Sequence, residues 1–304
     1  MALAAAAAAP SFAHTDAGVE QGMNTMWEVL WHQAGTPTRL VRWEQDLKVR
    51  VHGVNASAHR AHALAALRAV AAEAGLKVID VSNTPDAATQ ANVNVEITAN
   101  SGLADAQPCE TRLQFETETR IDGATMQMRD SDAKRCAYHE AMHVMGVRGH
   151  PAGETVLSYF PTKTDALQPL DKVMLRAWYS QRAHGGMTAL EVLPVLADEL
   201  VASMPDPASA RVARDRFMAK TIEQMQAFAA GEADVPEIVR KSGKSSEAGI
   251  RFGRMEMSYY LGIAYQDGVT VARDATQAAR WLQRAATMGS RPALARLGAA
   301  AAQR

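Results

Sequence analysis

An α+β layered domain followed by an all-α helical tail is the architecture this 304-residue sequence predicts. Three observations carry it. Apolar periodicity runs strand, helix, four strands, helix between about residues 46 and 145. One-faced helical patterns then replace strands for the rest of the chain. Near the C-terminus Leu261-Gly262 recurs as Leu297-Gly298, a period of 36 residues of the kind that stacked helix pairs produce.

Residues 1–15 begin Met-Ala-Leu, continue through an alanine run and end near Pro10-Ser-Phe-Ala13, with no Lys or Arg before Arg39. This stretch is too short to span a bilayer and reads as a signal-peptide-like leader with a small-x-small site at Ser11–Ala13. Asp46 to Val51 alternates apolar and polar residues, as a half-buried strand does. Asn55 is the expected N-cap of an Ala-rich helix from about Ala56 to Ala74, which Gly75 ends. Lys77–Val81, Asn92–Thr98, Arg112–Glu116 and Ala124–Met128 read as strands, the last two joined by an Asp122-Gly123 turn signal. Ser131 or Asp132 then caps a helix from about Ala133 to Met145.

After Gly146 the chain is irregular to about Leu167. Pro169 suits a first helical turn, and Leu170, Val173, Met174, Ala177 and Trp178 mark one buried face. Thr188 and Glu191 form a capping box for a further helix, in which Pro194 is placed to introduce a kink. The Met204-Pro-Asp-Pro segment is the expected boundary. It divides the chain into a domain over residues 16–205 and a helical region over 206–304, with repeats from about 252.

Charge narrows the partners. Lys plus Arg number 32 against 33 Asp plus Glu, for a net charge of -1, which gives no electrostatic case for nucleic acid or an anionic membrane. No stretch is long and apolar enough for a transmembrane helix. The two cysteines, Cys109 and Cys136, exclude a disulfide-rich scaffold. In an exported chain they favour one disulfide; in the cytosol both would be free thiols.

His139-Glu140-Ala-Met-His143 carries the most chemistry. Residues four apart lie one above the other on a helix, so both imidazoles can reach one cation, and imidazole nitrogen suits Zn²⁺. Glu140 stands beside such a site without needing to bind, and can take a proton from a zinc-acidified water. The bland alternative is a charged helix face with two surface histidines. Gly146 lies where the helix can stop in a left-handed turn, and His150 follows as a third candidate ligand. His14, His32, His52, His59, His62 and His184 lack ligand spacing to this motif.

His139-Glu140-x-x-His143-x-x-Gly146, a further histidine and the segment Thr155-Val-Leu-Ser-Tyr159 together resemble the metzincin clan of zinc endopeptidases. The resemblance implies a third ligand after the glycine, an apolar turn beneath the zinc and a role for Tyr159 near the metal or the oxyanion. Two positions depart from the pattern. The usual third-ligand position holds Gly149, so His150 stands one residue late, and the turn methionine is replaced by Leu157. Cys136, Gly146–His150, Leu170–Tyr179 and Gly185-Gly-Met187 are similar to a family of secreted bacterial metzincin-like proteins of unknown function, over roughly residues 40–200. The tail, with Leu261-Gly262, Tyr265, Gly268, Asp274, Ala278, Trp281, Ala285-Ala286 and Gly289, resembles the Sel-one-like class of tetratricopeptide-type repeats.

These readings set the expectations. The chain is a periplasmic or secreted zinc metallopeptidase acting on protein or peptide. His139, His143 and His150 hold the metal, and Glu140 and Tyr159 serve catalysis. Cys109 and Cys136 pair, and the helical repeats offer a surface for a protein partner. The competing reading is an inactive metzincin-like binding protein that recruits an envelope partner through those repeats. A purely structural zinc would need a fourth ligand, for which Cys136 is the candidate.

Overall fold

The computed structural model describes residues 16–158 and 163–302. The leader-like residues 1–15 and Tyr159 lie outside them. The chain is mixed α/β with a mostly parallel sheet and many helices.

Helix α1 (Asp16–Val29) opens the described chain, an element that the sequence reading does not include. It buries Val19, Met23, Met26 and Trp27. A small antiparallel hairpin comes next, β1 (Trp31–His32) and β2 (Thr36–Pro37). The main sheet takes β3 (Arg42–Trp43), β4 (Leu47–Gly53), β5 (Val78–Asp80), β6 (Val93–Thr98), β7 (Cys109–Phe115) and β8 (Arg120–Arg129). Helix α2 (Ala56–Glu73) and the single turn α3 (Ala87–Gln90) lie between these strands, and α4 (Ala133–Val144) succeeds them.

The strand order is β3-β8-β6-β4-β5, all parallel, while β7 pairs antiparallel with β8. Among the described residues β7 pairs with no other strand, so its outer edge is open. Val49 sits opposite Val93, and Val93 opposite Ala124. This register puts Val49, Val51, Val93, Val95, Ile97, Met126 and Met128 in one buried layer. Helices α2 and α4 pack there, with Leu64, Leu67, Val70, Ala137, Ala141 and Val144 buried. The alternate positions Lys48, Arg50, His52, Asn94, Glu96, Thr125 and Gln127 are partly or fully exposed. Parallel sheets are usually covered on both faces and read as continuous apolar runs; here the alternation shows one core face.

Three local expectations are corrected. Asp122 and Gly123 do not form the hairpin turn; they lie inside β8, and the connection is 116–119. Gly123 answers a close approach instead, since a Cβ there would meet Gln114 Oε1 at 2.4 Å beside a register shift. Asn55 precedes α2 but makes no side-chain cap; it is left-handed (φ 49°) and gives its amide to Asp130. Asp132 does not cap α4 through its side chain, because its carboxylate is held by Arg129 and Arg135.

The remaining elements are helical: α5 (Pro169–Trp178), α6 (Ala189–Ser203), α7 (Pro207–Ala230), α8 (Glu237–Lys241), α9 (Glu247–Asp267), α10 (Ala275–Thr287) and α11 (Arg291–Ala302). The capping box forms: Thr188 N–H donates to Glu191 and Glu191 N–H donates to Thr188 Oγ1. Met204–Asp206 separates α6 from α7 along the chain, yet α7 packs on both α1 and α6. Buried apolar side chains from Val19 to Ala293 form one contiguous cluster.

The two Leu-Gly pairs of the 36-residue period differ in packing. A Cβ on Gly262 would meet Leu282 Cγ of α10 at 2.7 Å, whereas Gly298 has nothing within 4 Å. The first glycine lets two helices close up; the second, on α11, meets no neighbour among the described residues. No helix among the described residues is long and apolar enough to cross a membrane.

Candidate metal centre

Helix α4 supplies the first two imidazoles. Its buried side carries Ala137, Ala141 and Val144, which leaves His139 and His143 on an adjacent stripe facing a cleft. The helix ends where its carbonyls find other partners. Trp43 Nε1 donates to Val144 O (2.7 Å), the Tyr179 hydroxyl donates to Met145 O (2.9 Å) and Gly146 N–H donates to His143 O (2.9 Å). Gly146 then turns the chain at φ 90°, and a Cβ there would strike Val41 O at 2.4 Å.

The next three residues explain the late third histidine. A Cβ on Gly149 would lie 2.1 Å from Val29 O at the end of α1. No side chain fits at position 149, so no ligand can project from it. His150 is the next residue able to reach the centre.

The three Nε2 atoms form a near-equilateral triangle. His139 to His143 is 3.1 Å, and His150 is 3.2 Å from each. Among the described residues this is the group of ligand atoms that could hold one ion. Three nitrogens about 2.0–2.1 Å from one tetrahedral zinc lie roughly 3.3 Å apart. The triangle therefore fits the metal in size and donor type.

The outer nitrogens decide which way each ring presents its lone pair. His139 Nδ1 lies 2.8 Å from Val156 O and His143 Nδ1 lies 2.6 Å from Val147 O. A carbonyl only accepts, so both Nδ1 atoms carry the proton and both Nε2 atoms are free to ligate. The side-chain amide of Gln33, in the β1–β2 turn, meets His150 Nδ1 at 3.0 Å; with the amide turned so that its oxygen accepts from Nδ1–H, the His150 Nε2 lone pair is free to ligate as well. Burial holds all three rings in the neutral form. It lowers His139, lowers His143 far below its usual range together with the neighbouring His139 and His150, and pushes His150 down to about 3.

Glu140 points into the same cleft and is 3% exposed. Burial pushes its carboxyl up to about 7. The Thr111 hydroxyl on β7 donates to Glu140 Oε2 at 2.7 Å and opposes that rise. A second carboxylate lies behind the centre. Asp171 on α5 is fully buried, accepts from the amides of Gln168 (2.7 Å) and Val156 (3.2 Å), and is also pushed up to about 7 by burial. It thus fixes the backbone of Val156, the residue whose carbonyl orients His139. Leu157 is fully buried in the same turn.

Cys109 and Cys136 are joined in a disulfide, which ties the start of β7 to α4. Cys136 is therefore not available as a fourth ligand. The other helical histidines are occupied elsewhere: His59 pairs with Asp130 at 2.7 Å and His62 meets Lys134 O at 3.0 Å. The cleft encloses ≈ 650 Å³, walled on one side by β7 and on the other by His32, Gln33, Arg148 and Lys244.

The structure brings His139, Glu140, His143 and His150 to one point; Tyr159 lies outside the described residues. Sequence reasoning missed Thr111, Gln33 and Asp171. Only Asp171 had a local signal, an acid at the third position of the helix that Pro169 opens. Comparison with protein-family models, curated proteins and solved structures finds no match for this chain.

Proposed function

We propose that this chain is a zinc-dependent, metzincin-like metallopeptidase working in an exported, oxidising compartment. The carrying observation is the triangle of three neutral Nε2 atoms beside a buried carboxyl. His139, His143 and His150 would hold the metal. Zinc, when bound, supplies a Lewis acid for a carbonyl oxygen and acidifies water to a pKa near 7.

The chain's own groups do the rest. Glu140, whose carboxyl titrates at about 7, is matched to take a proton from water and return it to the leaving amine. Thr111 engages Oε2, which leaves Oε1 to exchange that proton. The open edge of β7 suits an extended peptide added as the next strand. The Cys109–Cys136 bond supports export, since such bonds persist outside the reducing cytosol. The stacked C-terminal helices offer a surface for a protein partner.

Metal analysis and peptide hydrolysis test the reading together. Wild type and Glu140→Gln should carry equal, stoichiometric zinc, with hydrolysis of a broad peptide library only in wild type. Zinc without any cleavage would favour the binding-protein reading. No zinc in wild type would overturn the peptidase reading.

A further inference from the structure

The cleft is unevenly charged. Four cations line it, Arg112, Arg135, Arg148 and Lys244, against two carboxyls, Glu110 and Glu140. Arg112 is paired with Glu110, and Arg135 with Asp132. Arg148 and Lys244 have no acidic partner among the described residues. They come from distant segments, the loop after α4 and the connection between α8 and α9. Both stand close enough to His32, the last residue of β1, to hold its protonation down in addition to burial. One end of the cleft therefore gathers two uncompensated cations, in a chain whose net charge is -1.

Convergence on a concave wall separates this pair from ordinary surface cations. A lone Arg or Lys on a convex surface is solvated on most sides and needs no counter-ion. Here a planar fork and a point charge face the same cavity, a combination that suits a carboxylate held by two kinds of donor.

We propose that Arg148, Lys244 and His32 form a subsite for a carboxylate of the bound peptide, so that acidic peptides are the substrate class. Cleavage of such a peptide rests on the peptidase reading, but the subsite itself is a binding property. The carboxylate comes from an Asp or Glu side chain or from the peptide's C-terminus. Lys244 places a residue of the helical tail in that recognition.

The test uses the zinc-treated full chain carrying Glu140→Gln to stop turnover, with fluorescence anisotropy as readout. The probes are one peptide sequence with Glu or Gln at each position in turn, each with a free or amidated C-terminus. We expect about 10-fold tighter binding for the acidic member of one pair, weakening with added salt. A Glu-over-Gln preference assigns a side chain; an acid-over-amide preference assigns the chain end. Arg148→Gln with Lys244→Gln should bring the ratio to about 1, and Lys244→Glu alone should shift it towards the neutral peptide. Equal binding within every pair, no measurable binding by any peptide, or a preference that survives the double variant would overturn the subsite. Zinc content of the same samples reports separately on the peptidase reading: a charge preference without zinc keeps the subsite and removes the peptidase.

Discussion

His139 and His143 share one helix, while His150 stands on a loop seven residues beyond the second of them. The helix pair is oriented by main-chain carbonyls, those of Val156 and Val147. The loop histidine is oriented by a side chain, Gln33, 117 residues away. The first kind of support comes from helix pitch and from the path of the turn that succeeds it. The second depends on docking the β1–β2 hairpin, and behind it the helical tail. Ser242 Oγ reaches Gln33 O at 3.4 Å, and a Cβ on Gly249 or Gly253 would strike the Ala34 or Gly35 carbonyl at 2.2 or 2.1 Å. Two imidazoles are thus set locally and the third by tertiary packing.

Removing ligands should break the comparison most severely. His139→Ala or His143→Ala should abolish stoichiometric zinc, because no chelating pair on one helix face remains. His150→Ala should leave the helix pair holding zinc weakly, with an affinity loss beyond the roughly 100-fold ceiling of an outer partner. Competition with a chromophoric chelator separates the two outcomes; equal losses in all three variants would refute the distinction.

The helix side also buries a proton. Below pH about 4.5 Glu140 is protonated in folded and unfolded chains alike. As pH rises from there to about 7 the unfolded chain releases its proton while the folded chain keeps it, so the folded state loses ground. Above that value the loss is complete, roughly 3 kcal/mol at about 1.4 kcal/mol per pH unit. Metal-free wild type should therefore lose stability against Glu140→Gln between about pH 5 and pH 8 by denaturant unfolding. The histidine contributions are common to both chains and drop out of the difference.

A smaller effect sharpens the loop side. Gln33→Leu should weaken zinc binding about 10- to 100-fold without changing the helix ligands. Its readout is zinc affinity alongside an unchanged unfolding midpoint of the metal-free protein. A shift in the midpoint with no change in affinity would make Gln33 a packing residue rather than a positioning one.

The same division governs what the sequence discloses. Periodicity and pitch are local, so the strand-helix-strand order, the His139/His143 spacing, the Gly146 turn and the Thr188–Glu191 box are legible in it. Gly149 is legible only as a departure. Its cause, the Val29 carbonyl, belongs to an unread helix more than a hundred residues earlier. Thr111 and Gln33 become partners through sheet register and hairpin docking, which no short window contains. The misplaced hairpin turn has the same origin. Asp-Gly satisfies a turn and a close strand contact equally well, and only the Gln114 side chain across the ladder decides between them.

The cross-link beside the cleft has a mechanical consequence. Thr111 stands two residues along the strand from Cys109, and Glu140 stands four residues along the helix from Cys136. The disulfide closes one end of this frame, and the Thr111–Glu140 hydrogen bond closes the other. Strand and helix are thereby two rails with a rung at each end. When surrounding parts of the molecule loosen with heat or denaturant, the spacing between the open β7 edge and the Glu140 carboxyl should stay held. Reduction removes one rung and leaves that spacing to a single hydroxyl, so loss of alignment should precede loss of fold.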